Sequence, residues 1–508
     1  MLTSRPTVTV LAALVLLIAA GAATWSLTRN FSGGSPSNQR QTKDSMTFEV
    51  TVPDNTPSSD TIHLYAQSPF PMPRVGPRKF RLTLTREQLQ LEGSAQTIKY
   101  RYTRNGYDFR AAEYLEPDTG DYFWTERGRQ ATFARDKVQR DAVTRWRWFP
   151  PGGVTIDRTS DLEPVGEFLP RLNGTEFRSG QVIEDFYTLA FDYTFDQTAE
   201  RLADLGYRWV EVDPPWQMVE ENGLPKIVNQ YPEAPNYPSD DKLLEEISAF
   251  KRRGLKVMLQ PQHCCTVIST QNRPAGWWDS YFSEITNFLV HFAQLAERAG
   301  VEAIHYAVNT DYQAPDADAR WRAVFKAIRE HFRGQVGEMV WSGAGGGVVP
   351  DGTYITWADE LDYFYIAIDA PIASTSNPTD DELLAGAERV LAGPKKLYDR
   401  YGKPVFVRTT YFNVKETWRG NSFYDIASVP WYGGPEADLK NSQYAFSPDD
   451  QARVIQAYFR AIANRPWIIG YAQFGYNHME FPLAADLSVR GRPSEDLWRD
   501  WNRVIYHD

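Results

Sequence analysis

Only two of the 508 residues are cysteine, Cys264 and Cys265, and they are neighbours. Adjacent thiols cannot staple distant segments. They form two thiols or one strained ring, so a disulfide framework and a cysteine zinc site are excluded. The seven histidines show no metal-ligand spacing such as H-E-x-x-H. No metal or other cofactor is therefore expected. Positive charge is also short: 54 Lys and Arg stand against 65 Asp and Glu, a net charge of −11. A nucleic-acid binder needs a basic face that releases counterions from phosphates, so that class is set aside. What the chain has in quantity is aromatic rings, 16 Trp, 27 Tyr and 27 Phe. Planar rings line sugar clefts or fill cores, and composition alone leaves both open. A 42% hydrophobic share fits globular material with a buried core, and the length suggests about two to four domains.

One long apolar run stands near the N-terminus, from Val8 to Trp25. It is near the lower length limit for a membrane-spanning helix. Its small residues Ala20, Gly21, Ala22 and Ala23 also suit signal cleavage. Residues 1–29 therefore read as a signal peptide or a membrane anchor, and 30–45, rich in Ser, Gly, Asn and Gln, as a flexible tether. Either way the remainder is expected to be exported. It would be secreted, or held on the outer face if the segment is retained.

From Met46 the pattern alternates. Phe48, Val50 and Val52 share one face, as do Ile62, Leu64 and Ala66, and "KFRLTLT" and "TIKYRYT" follow. Short strands at this spacing predict a small antiparallel β-sandwich over 46–150. Pro150, Pro151, Gly152 and Gly153 mark its end, and 151–179 reads as an irregular linker over the next domain. "FEVTVPDNTPSSDTIHLYAQ" and Tyr100-Arg101-Tyr102-Thr103-Arg104-Asn105-Gly106-Tyr107 resemble family 20 carbohydrate-binding modules and related starch-binding-like sandwiches. The resemblance implies a sugar-binding domain. Tyr107 stands near where those modules carry a stacking Trp. The competing reading is a sandwich that only packs on its neighbour.

Residues 180–508 alternate strand and helix eight times. "DFYTLAFDY" is an apolar run, the signature of a strand buried on both faces. "RWVEVDPPW", "KVMLQPQH", "EAIHYAVNTDY", "GEMVWSGAG", "ELDYFYIAIDAP", "KPVFVRTTYF" and "WIIGYAQFGYNH" are the later strands. The intervening segments carry apolar residues at helical spacing, with Ser239 or Asp240 and then Ser447 and Pro448 as start signals. This pattern predicts an α/β chain with a (β/α)8 TIM barrel. A doubly wound open sheet would carry a Gly-rich phosphate turn after its first strand, and "FDYTFDQ" has none. "GAGGG" at Gly343–Gly347 lacks a P-loop lysine and reads as a mouth loop.

Barrel enzymes work at the C-terminal ends of their strands. The polar residues there are Asp192, Asp213, His263, Asn309, Asp311, Asp369, Arg408, Thr409, Tyr411, Asn477, His478 and Glu480. Trp216, Trp277, Trp278, Tyr312, Trp341, Phe412 and Tyr476 lie near the same rim. Carboxylates ringed by aromatics suit a poly- or oligosaccharide.

"KVMLQPQH", "DYFYIAIDAPI", "KPVFV" and "GYAQFGY…SVRGRPSEDLWRDW" resemble clan A glycoside hydrolases, nearest to the mannanase-type family 113. The resemblance implies one Glu after strand four and a nucleophilic Glu on strand seven. This chain has Asn309-Thr310-Asp311 in the first place and Arg408-Thr409-Thr410-Tyr411 in the second. A Thr hydroxyl without a base is a poor glycosyl nucleophile. The catalytic candidates are accordingly Asp311, Asp369 and Asp213, with Glu480 as another possible partner for Asp311. The binding candidates are Asn309, Tyr312, His263, Trp216, Trp341, Thr409, Tyr411, Tyr476 and Asn477. Two functions stay open: two-carboxylate hydrolysis, and glycan binding by a barrel that has lost its chemistry.

Overall fold

The computed structural model describes residues 44–93, 96–106, 109–116, 128–152, 158–183, 194–229, 239–264, 268–270, 272–307, 314–342, 355–424 and 445–507. The Val8–Trp25 run, Tyr107, Cys265, the Cys264 side chain and Gly343–Gly347 lie outside them. Among the described residues no helix is long and apolar enough to cross a membrane.

Two four-stranded sheets form the first unit. Its strands are β1 (Ser45–Thr51), β2 (Ile62–Tyr65), β3 (Pro69–Pro71), β4 (Arg74–Gly76), β5 (Lys79–Thr85), β6 (Thr97–Arg104), β7 (Arg129–Thr132) and β8 (Val138–Ala142). One sheet runs β4-β5-β1-β8 and the other β3-β2-β6-β7. Pairing is antiparallel except between β1 and β8, which are parallel. The alternation in β1 places Met46, Phe48 and Val50 in a core shared with Ile62, Leu64 and Phe80. Tyr100 and Tyr102 belong to that core, and both hydroxyls donate to Asp141 at 2.8 Å. These two rings of the starch-binding-like segment are packing residues.

The second unit is a closed barrel of eight parallel strands. They are β9 (Arg178–Ile183), β10 (Trp209–Val212), β13 (Lys256–Leu259), β15 (Ala303–Ala307), β16 (Gln335–Ser342), β17 (Tyr363–Ile368), β18 (Val405–Thr409) and β19 (Ile468–Tyr476). A smaller sheet, β11 (Pro215–Glu221), β12 (Leu224–Val228) and β14 (Gln262–Cys264), rises from the ends of β10 and β13. Seven helices are described: α1 (Phe195–Asp204), α2 (Asp240–Arg252), α3 (Ala275–Ala299), α4 (Ala317–His331), α5 (Asp380–Tyr401), α6 (Pro448–Ala463) and α7 (Pro493–Tyr506). The Ser239 side chain caps α2, and Pro448 opens α6 after the N-cap Ser447. Each barrel strand has one face toward the axis and one toward the helices. Val182, Trp209, Met258, Met339, Tyr365 and Phe406 fill the axis, whereas Val210, Leu259, Ile304, Ile366 and Val407 pack under the helices.

The first barrel strand differs from the sequence expectation. "DFYTLAFDY" lies at Asp185–Tyr193, outside the described residues, and β9 precedes it. Its sequence, RSGQVI, is polar yet fully buried. Ser179 bonds to Asn502, and Gln181 donates to the Tyr207 hydroxyl at 2.9 Å. The Arg178 guanidinium lies over Trp209 and Tyr363. Gly180 is needed because a Cβ there would sit 2.9 Å from the Trp209 carbonyl. A strand buried largely through polar side chains carries no hydropathy signal.

The two units are bonded together. Arg104 donates to Asp60 at 2.7 Å and to the Glu480 carbonyl at 2.9 Å, and stacks on Phe149. Leu483 N–H donates to the Trp148 carbonyl at 2.9 Å. The intervening segment lies along the barrel. There Arg171 donates to the carbonyls of Ile462, Ala463, Arg465 and Ile468 around the end of α6.

Candidate active site

Tyr363, Tyr365 and Ala367 point into the barrel, so the next residue on that face, Asp369, stands at the mouth. It is 9% exposed, and among the described residues its Oδ1 accepts no hydrogen bond. Burial raises its carboxyl to about 6, against the opposing pull of its own backbone amide and of Arg408. The loop after β18 grips the loop that carries it. Asn421 N–H donates to the Asp369 carbonyl at 3.1 Å, Ile372 N–H donates to the Trp418 carbonyl at 2.8 Å, and the Tyr411 hydroxyl donates to the Ala370 carbonyl at 2.6 Å. Gly420 makes this approach possible, with a φ of 77° and a virtual Cβ only 2.6 Å from the Asp369 oxygen.

On β18 the inward residues are Phe406 and then Arg408. The Arg408 guanidinium carbon stands 4.7 Å from the Phe474 ring, 5.1 Å from Trp341 and 5.8 Å from Tyr365. Its Nη1 donates to Gln260 Oε1 at 3.2 Å. One layer deeper, His305 stacks on Tyr365 with centroids 3.9 Å apart, and Tyr365 stacks on Phe406. His305 Nδ1 is 3.2 Å from the Tyr363 hydroxyl, and Glu211 faces His305 from β10. Sequence reading missed Glu211, Gln260, His305 and Tyr365. The available signal was a polar residue at every second position of otherwise apolar strands, as in "VEV" and "AIHYA".

The other candidates divide. Asp213 is fully buried and accepts from Gln262 at 2.6 Å. His263 shares a 2.6 Å hydrogen bond with the Tyr306 hydroxyl, and burial lowers its imidazole to about 4. Trp216 packs on Phe288, His291 and Phe292 at α3. Trp341 lines the floor of the mouth beside Arg408. Four expected binding residues sit in the wall instead of the mouth. Thr409 is on the outer face and bonds to Gln473 at 2.7 Å, because one position on a strand reverses the side chain. Tyr411 meets Tyr458, Tyr476 donates to Glu495 at 2.8 Å, and Asn477 donates to Asp486 at 2.6 Å, all buried. His478 is a buried fixture, 3.0 Å from Glu246. Glu480 pairs with Arg158 and Arg201 at 2.8 Å each, which outweighs its burial and holds its carboxyl below the ordinary range. Trp277, Trp278 and Phe412 are core residues. Asp192, Asn309, Asp311 and Tyr312 lie outside the described residues. Among the described residues no three His, Cys, Asp or Glu side chains converge as a metal site would require.

The barrel has known structural counterparts. The β-mannanase AaManA from Alicyclobacillus acidocaldarius, solved in complex with ManMIm, is 18% identical with a TM-score of 0.51. The match covers 65% of this chain and 98% of that one, a likeness that establishes the fold. A second solved structure, a complex of a GH113 β-1,4-mannanase, is 19% identical with a TM-score of 0.48 and covers 65% and 99%. No curated protein matches the chain. The sequence profile of Glycoside Hydrolase Family 113 matches residues 192–486, more than half of the chain, so the protein belongs to Glycoside Hydrolase Family 113.

Proposed function

We propose that the protein hydrolyses glycosidic bonds of a poly- or oligosaccharide at the C-terminal mouth of the barrel, with Asp369 as the general acid. The observation that carries this is the Asp369 carboxyl itself. It sits at the end of strand six, nine-tenths buried, with one oxygen unpartnered and its proton held to about pH 6. A glycosidase acid must keep its proton at working pH and give it to the bridge oxygen as the C–O bond breaks. The second carboxylate is Asp311, which the sequence puts after strand four. It serves as nucleophile, or as the base that takes a proton from the attacking water. Strand seven supplies Arg408, Thr409 and Thr410 where the family pattern has its Glu, so neither carboxylate comes from there. Export through the Val8–Trp25 segment belongs to the same reading, because polymeric glycans are met outside the cell.

The test is a hydrolysis screen over α- and β-linked glycans. Asp369→Asn and Asp311→Asn should each cost several powers of ten in kcat. Full turnover in both variants would overturn the assignment. The missing strand-seven carboxylate favours a second reading, a glycan-binding barrel without chemistry. Binding of a glycan with no cleavage across the whole panel would establish it.

A further inference from the structure

Among the described residues no carboxylate stands in ion-pair contact with the buried cation Arg408. It is 2% exposed, and its Nε has no acceptor among them. Among the described residues a neutral amide oxygen, that of Gln260, is its one hydrogen-bond acceptor. The rings of Phe474, Trp341 and Tyr365 offer π density but no charge. Its field reaches Asp369, yet the two do not pair, and the proposed role of Asp369 requires the protonated, neutral form. Burying an unpaired charge is costly, and the cost is lowered when a ligand brings the opposite charge. The surroundings suit such a ligand. Trp341 and Phe474 are only partly buried and flank the guanidinium as apolar walls. Low local polarity strengthens a charge-assisted bond formed between them.

We infer that the mouth takes a glycan carrying an anionic substituent, a carboxylate, sulfate or phosphate, and that Arg408 pairs with that group. A planar guanidinium presents two parallel N–H groups to two oxygens of such an anion, a match that a lysine ammonium lacks. Gln260 is a positioning residue that fixes the plane of the fork from β13's end. The inference rests on the mouth reading for its location only, since binding and cleavage are measured separately.

The experiment uses the full chain and calorimetric titration with matched pairs. An oligogalacturonate is compared with its methyl ester, and sulfated and phosphorylated manno-oligosaccharides with the unmodified one. At least one anionic member should bind about tenfold or more tighter than its neutral partner. The pair that shows the preference identifies the anion. Arg408→Gln should abolish the preference and Arg408→Lys keep part of it. Should Arg408→Gln fail to fold, the wild-type pairs decide by themselves. Equal or weaker binding of every anionic member overturns the inference. Cleavage of neutral glycans without charge preference also overturns it and leaves the hydrolase reading standing. Anion-selective binding without cleavage of any glycan supports it and removes the hydrolase reading.

Discussion

His305 Nε2 stands 3.3 Å from Glu211 Oε1, and solvent reaches neither side chain. The pair lies on the barrel axis directly beneath the layer of Arg408. Removing one partner strands the other in the core. Glu211→Ala should cost about 1–3 kcal/mol by denaturant unfolding, the penalty of leaving a buried polar neighbour unmatched. A double-mutant cycle with His305→Ala should give a coupling of about 0.5–3 kcal/mol. Additive losses would show that the two do not act as a pair.

Asp369→Asn tests stability as well as activity. The folded carboxyl titrates near 6 and the free one near 3.8. A raised value means that its stabilising contribution is complete below about pH 4 and lost as pH rises through 6. Wild type should therefore weaken relative to Asp369→Asn across that window, by about 3 kcal/mol in all. Activity of the wild type should decline on the same alkaline limb, because the acid loses its proton. A flat difference in Tm between pH 4 and 7 would contradict the burial argument.

Glu338 offers an independent case away from the mouth. It faces the helix layer from β16, accepts from Trp357 Nε1 at 2.6 Å, and burial pushes it up to about 8. Its contribution is present below about pH 4.5 and lost as pH rises through 8. Glu338→Gln keeps an acceptor for the indole and removes the titration. Wild type should lose about 1.4 kcal/mol per pH unit relative to the variant within that window. Hydrolysis should be indifferent to this change.

Gly420 touches no substrate in the proposed mechanism, yet it sets where Asp369 stands. Gly420→Ala adds a methyl 2.6 Å from the Asp369 carbonyl, at a backbone φ of 77°. The expected cost is about 1–3 kcal/mol of stability. Because a shift of about 1 Å in a catalytic group costs about a hundredfold in rate, kcat should fall far more than the loss of folded protein explains. Unchanged kcat per folded molecule would mean that the loop after β18 does not position the acid.

The barrel was legible because seven of its eight strands and most helices announce themselves by period, and Ser239 and Pro448 by their cap chemistry. The first strand was not, since RSGQVI is buried through hydrogen bonds instead of apolar side chains. The sequence reading put Asp369 at the end of strand six and Trp341 near the rim, and in the structure Asp369 follows β17 and Trp341 lies near the end of β16. Thr409 was misread because strand parity decides between mouth and wall, and one residue reverses it. Tyr411 and Asn477 follow strands seven and eight, where the chain turns back into the wall, and Tyr476 ends strand eight against Glu495 of α7; no local pattern reports either. The Glu211–His305 pair was invisible for want of a partner known in advance. Two polar residues on different strands become one feature only when the barrel closes.

The Arg104 bond to the Glu480 carbonyl joins residues 376 positions apart. During synthesis the sandwich leaves the ribosome long before its docking surface exists, because Glu480 and Leu483 follow its last strand by more than three hundred residues. Until then the Arg104 guanidinium lacks its Glu480 acceptor. Docking of the two units is thus a late step, available only after strand eight has closed the ring. A chain stopped before strand eight would present a finished sandwich beside an open sheet, and that species is where misassembly should begin.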